Sequence, residues 1–186
     1  MNYLLPAAVA LLALAPVAQA DDSPAIDLTA LIECGSDYAG FVATEALRDD
    51  PLKAVAAGWQ PLPQTNMFMS EYRLVQPITV FGQPTDHIAF SGSGVVAILD
   101  LPDPRPLAQM LELETAIDTP QKAMFGKEVL SEKRTAPDGT VVIESAVITV
   151  SNVDSHPGQT LAGCSYSLDL PEETDEQTAP AAETPH

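Results

Sequence analysis

Between Ile78 and Leu101 the chain reads ITVFGQPTDHIAFSGSGVVAILDL, and this stretch limits the fold more than any other. β-Branched and aromatic residues dominate it, and Gly82, Pro84, Gly92 and Gly94 punctuate it. Short apolar runs separated by turn residues form strands joined by tight turns. Too little chain separates them for the crossovers that parallel pairing needs, so they predict an antiparallel meander. The preceding NMFMSEYRLVQ, residues 66–76, alternates well enough to add a strand, with Phe68, Tyr72 and Leu74 facing inward and Pro77 breaking or offsetting it. Val95–Leu99 is continuously apolar, the pattern of a central strand covered on both faces.

Upstream, Leu28, Leu31, Ile32, Gly35, Tyr38, Ala39, Val42 and Ala46 recur at three- and four-residue spacings. That period predicts one amphipathic helix from an Asp27 N-cap to about Arg48, with Gly35 and Gly40 at close packing against a sheet. Leu52–Ala57 adds a short helical turn stopped by Gly58. Trp59, the single tryptophan, is then either a core plug over that junction or an exposed anchor for a partner. Downstream, a short helix spans about Pro104–Leu113 behind Asp103, and Thr115–Lys122 reads as loop. Strands follow at Phe125–Arg134, Thr140–Val150 and Thr160–Leu170, with a turn at Pro137-Asp138-Gly139.

The order predicts an α+β fold: an antiparallel sheet of about six or seven strands, with an N-terminal helix and a short second helix packed on one face. The tripeptides Val80-Phe81-Gly82 and Met124-Phe125-Gly126 recur after the two helical segments, the trace of a duplicated helix-plus-strands unit.

Residues 1–20 contain no charged side chain and end in Ala18-Gln19-Ala20 before Asp21-Asp22, the pattern of a secretory signal peptide cleaved after Ala20. Residues 21–170 then make a single α+β domain, and the acidic, Pro- and Ala-rich residues 171–186 make a disordered tail. No later stretch is apolar and long enough to cross a bilayer. Export to the periplasm or the medium places Cys34 and Cys164, the only cysteines, where they pair as one disulfide.

With 26 acidic and 8 basic residues the net charge is −18, which repels phosphate backbones and anionic lipid and disfavours nucleic-acid and membrane-surface roles. A basic envelope or secreted protein is the partner such a surface permits. The histidines, His87, His156 and His186, form no HExxH, and no CxxC or Asp-x-Asp-x-Gly loop occurs, so neither a metal nor a cofactor is expected. Asp86-His87 with Ser91 or Ser93 supplies the residue types of a hydrolytic triad, as does Asp154-Ser155-His156. Neighbours on a strand point to opposite faces, however, so Asp86 is poorly placed to orient His87, and Ser91–Gly94 reads as a hairpin turn.

Missing chemistry and acidity favour an exported bacterial envelope protein without enzymatic activity, a protein-binding module or an inhibitor of a basic secreted hydrolase. Trp59, Phe68 and His156 are its candidate contact residues. A small hydrolase using His87 with Ser91 or Ser93, and a structural envelope subunit, are the alternatives.

Overall fold

A computed structural model of the chain describes residues 26–171. The expected signal peptide, and all of the expected tail beyond Pro171, lie outside the described residues.

The single helix expected from Asp27 to Arg48 is instead three short ones. Helix α1, Leu28–Ile32, starts where expected, with the Asp27 carboxylate accepting the Ala30 N–H at 3.0 Å. Cys34 then adopts a left-handed backbone, φ 58°, which ends the helix. The chain restarts at Asp37, which accepts the Gly40 N–H at 2.8 Å and caps α2, Tyr38–Ala43. Helix α3 spans Glu45–Arg48, and Asp50 caps α4, Pro51–Ala56, which is followed by Gly58 at φ 83°. The break changes which residues face inward: Phe41 and Thr44 are buried where an unbroken stripe calls for Val42 and Ala46. Helices of this length are not stable alone, so they depend on burying Leu28, Leu31, Ile32, Phe41 and Ala54.

The strands are β1 Trp59–Pro61, β2 Ser70–Val80, β3 Gln83–Ser91, β4 Gly94–Leu99, β5 Glu114–Asp118, β6 Ala123–Thr135, β7 Val141–Ser151 and β8 Thr160–Asp169, with helix α5, Arg105–Met110, before β5. They form one eight-stranded antiparallel sheet in the order β1-β2-β3-β4-β8-β7-β6-β5. The expected antiparallel sheet with helices on one face is therefore present, with eight strands rather than six or seven. The extra ones are β1, only three residues long, and β5, expected as loop because all five of its residues are exposed and show no burial alternation. Pro77 offsets β2 without ending it: the β2–β3 register shifts between Arg73 and Ile78.

Each half of the sheet is a four-stranded meander preceded by helix, and the halves join through β4 and β8, paired from Gly94↔Ser165 to Leu99↔Thr160. The recurring tripeptides are not equivalent within these halves. Val80-Phe81-Gly82 enters the β2–β3 turn, with Phe81 at φ 52°, whereas Met124-Phe125-Gly126 lies near the start of β6.

The helices cover one face of the sheet. Here Trp59 stacks on Phe90 at 5.8 Å, Phe41 on Tyr166 at 5.6 Å, and the Arg48 guanidinium lies over Phe41 and Phe90 at 5.1 and 4.9 Å. The buried Tyr166 hydroxyl donates to the Leu31 carbonyl at 2.7 Å, and burial raises its pKa to about 12. Cys34 and Cys164 form the expected disulfide, which ties the end of α1 to the central strand β8. Among the described residues, the other face carries no helix. Its centre is a smaller cluster of Met69, Ala89, Ile98 and Leu161, against which Val153 packs. No helix among the described residues is long and apolar enough to cross a membrane.

Candidate functional site

Alternation along β2 and β3 sends Tyr72, Leu74, Ile88 and Phe90 into the helix-covered core, and so turns Glu71, Arg73, His87 and Ala89 to the opposite face. The register pairs Arg73 with His87, which makes Glu71 the diagonal neighbour of His87. The His87 Nε2 atom lies 2.9 Å from Glu71 Oε2.

A third residue arrives from the β7–β8 loop. That loop is fastened at one end by Asn152 Oδ1, which accepts the Ala123 N–H at 2.8 Å, and at the other by the Gln159 side-chain amide, which donates to Asp100 at 2.9 Å. Val153 packs onto the apolar cluster between these anchors. The loop thereby lowers His156 onto the sheet, where its Nε2 lies 3.4 Å from the same Glu71 Oε2. The Ser155 hydroxyl lies 3.0 Å from His156 Nδ1. Glu71, His87 and His156 thus offer one carboxylate oxygen and two imidazole nitrogens, all within 4.8 Å of one another. Both histidines are buried, each 8% exposed.

Burial pushes the His87 pKa below its ordinary value, against the hydrogen bond and charge of Glu71, and Arg73 and His156 add to the lowering. Burial thereby favours the neutral imidazole of His87. Arg73 does not pair with Glu71; its guanidinium lies 2.6 Å from Asp86. Beside His87, a cleft of about 230 Å³ is lined by polar groups including Arg73, Asp86, Asp100 and Gln159.

The hydrolase residues expected from sequence are not brought together. Ser91 lies four positions along β3 from His87, about 13 Å at the rise of an extended strand. Ser93 sits still further away, in the β3–β4 turn, and Asp86 is engaged with Arg73. Ser155, His156 and Glu71 do form a chain of polar contacts, but the hydroxyl meets the ring of its own sequence neighbour and Ser155 does not line the cleft beside His87.

Of the candidate contact residues, Trp59 is 5% exposed and is the core plug, so it presents no surface. His156 is buried, whereas Phe68, expected to face inward from a strand, lies before β2 and is 74% exposed. The Phe68 N–H donates to the Asn66 side chain at 2.9 Å, and this turn holds Met67 and Phe68 outward while Met69 enters the apolar cluster. Glu71 was not foreseen as a site residue. The inward Tyr72 and Leu74 imply its outward face, but only the strand register places it beside His87. Comparison of the chain with family models, with curated proteins and with solved structures gave no match.

Proposed function

We propose that this chain is an exported, non-enzymatic binding protein of the bacterial envelope that holds a basic protein on its helix-free face. The observation that carries the reading is the pair Met67 and Phe68. They are 79% and 74% exposed, on a hydrogen-bonded turn at the edge of an otherwise small apolar cluster. Large exposed apolar side chains on a fixed turn are typical binding anchors. The chain's net charge of −18 favours a cationic partner and speeds its encounter. Inhibition of a basic secreted hydrolase is the form of binding that this charge favours.

The test is affinity capture from the envelope fraction of cells that make the protein, comparing wild type with the Met67→Asp/Phe68→Asp double variant. A basic protein retained by wild type, released by salt and retained at least about tenfold less by the variant supports the reading, since anchors of this kind contribute about 2 kcal/mol or more. Equal retention by both chains, or turnover of ester or peptide substrates by the wild type, contradicts it.

A further inference from the structure

We propose that Glu71, His87 and His156 form a binding site for a single divalent transition-metal ion, zinc in the first instance, which fastens the β7–β8 loop to strands β2 and β3. The inference goes beyond protein binding and does not depend on it, since Met67 and Phe68 are not among the ligands.

Three features separate this cluster from an ordinary hydrogen-bonded histidine pair. Both Nε2 atoms approach the same carboxylate oxygen, at 2.9 and 3.4 Å, instead of dividing between the two oxygens of Glu71. Ligands about 2.0–2.1 Å from a tetrahedral zinc ion stand about 3.3 Å apart, so small side-chain adjustments admit the ion between them. The donor set, two imidazoles and one carboxylate, suits zinc and its neighbours in the first transition row and is a poor match for calcium or magnesium, which take oxygen ligands.

The surroundings support the same assignment. The ligands come from β2, β3 and the β7–β8 loop, each held by sheet pairing or by loop anchors that do not involve the cluster. Ser155 stands at His156 Nδ1 and can accept a hydrogen bond from the Nδ1–H, leaving the Nε2 lone pair for the metal, as outer partners of metal-bound histidines do. Three protein ligands leave a fourth position for water or for a donor atom from another molecule.

The proposal is tested on the full chain after removal of metal with a chelator and dialysis, by calorimetric titration with Zn²⁺ in excess Mg²⁺ and by absorption spectroscopy with Co²⁺. The wild type is expected to bind one zinc ion per chain, to give a cobalt spectrum of four or five coordination, and to melt at a higher temperature with zinc. Glu71→Gln keeps the side chain's shape and removes its charge. It is expected to weaken zinc binding roughly 100-fold or more, and Ser155→Ala roughly tenfold, the range for outer-partner losses. His156→Gln, in an anchored loop outside the strands, serves as the second ligand variant and is expected to match Glu71→Gln. The proposal is overturned if the wild type binds no zinc in excess magnesium. It is equally overturned if Glu71→Gln and His156→Gln bind it with the wild-type stoichiometry and affinity, which would assign the metal to exposed carboxylates.

Discussion

Replacing Gly163 with alanine is expected to cost about 3 kcal/mol or more and to lower the urea midpoint well below that of the wild type. Gly163 faces Val96 across the β4–β8 pairing that joins the two meanders. A Cβ at this position would stand 2.1 Å from the Val95 carbonyl oxygen and 2.6 Å from the Val96 Cα. Overpacking usually costs about 1–3 kcal/mol because side chains give way, but these obstructing atoms are main chain in the middle of the sheet. Relief requires the two central strands to separate, and with them the halves of the sheet. A loss of that size is a large part of the roughly 5–15 kcal/mol that keeps a domain folded. Gly126→Ala is the control: its Cβ would meet the Ile148 carbonyl at 3.3 Å, which a small shift can relieve. Urea unfolding of the two variants checks the difference. A wild-type midpoint for Gly163→Ala would show that the close approach is not a constraint.

Loss of the Cys34–Cys164 disulfide is expected to have an effect of similar size, up to about 4–5 kcal/mol. The bridge spans 130 residues, and in the chain-entropy account a loop that long restricts the unfolded state by about that amount. The native state also gives the bond a particular task. Helix α1 is five residues long and Cys34 holds a left-handed backbone directly after it, so local propensity does little to keep this segment in place. Without the bridge, the Tyr166 bond to the Leu31 carbonyl and the burial of Leu28, Leu31 and Ile32 must hold it alone. The Cys34→Ala/Cys164→Ala variant is therefore expected to lose stability and to exchange the amides of residues 28–48 before those of β4 and β8. Coincident urea midpoints for oxidised, reduced and double-alanine protein would contradict this.

These effects depend on features that differ in how visible they are in the sequence. The first meander follows from its short apolar runs, and the inward faces of Tyr72 and Leu74 from simple alternation. The cysteine pair follows from the presence of just two cysteines and from the expected export. Helices α1 to α3 merge into one expected helix because apolar residues keep recurring at helical spacing across the break. Gly35, whose N–H bonds back to the Ala30 carbonyl, and Asp37, one residue before α2, are the local signs of a stop and a new start. Strand β5 is hidden because an edge strand with every side chain exposed has no burial period. The β4–β8 contact is a long-range choice, and Gly163, which permits it, looks in sequence like any glycine in a strand.

The cluster on the helix-free face was partly legible for the same reasons. His87 stood out as a histidine among strand residues, but its expected partners, Ser91 and Ser93, lie toward the far end of the hairpin. Its actual neighbours need two facts that no local pattern contains. One is the register that sets Glu71 diagonally beside it. The other is the anchoring of a loop, 85 residues beyond Glu71, that brings in His156. The alternation of β2, carried upstream past Ser70, points Phe68 inward. The turn at Asn66 reverses it and makes it an exposed anchor.

In the proposed function, the helix-free face, with its turn at residues 62–69 and its loop at residues 152–158, is the surface that binds the basic protein. Hydrogen–deuterium exchange, measured on the free protein and on its complex with the basic protein captured from the envelope fraction, tests it most directly. Added protection is expected in residues 62–69 and 152–158, with unchanged exchange in α1 to α4. Protection confined to the helices, or to the outer edge strand β5, would place the interface elsewhere and contradict it.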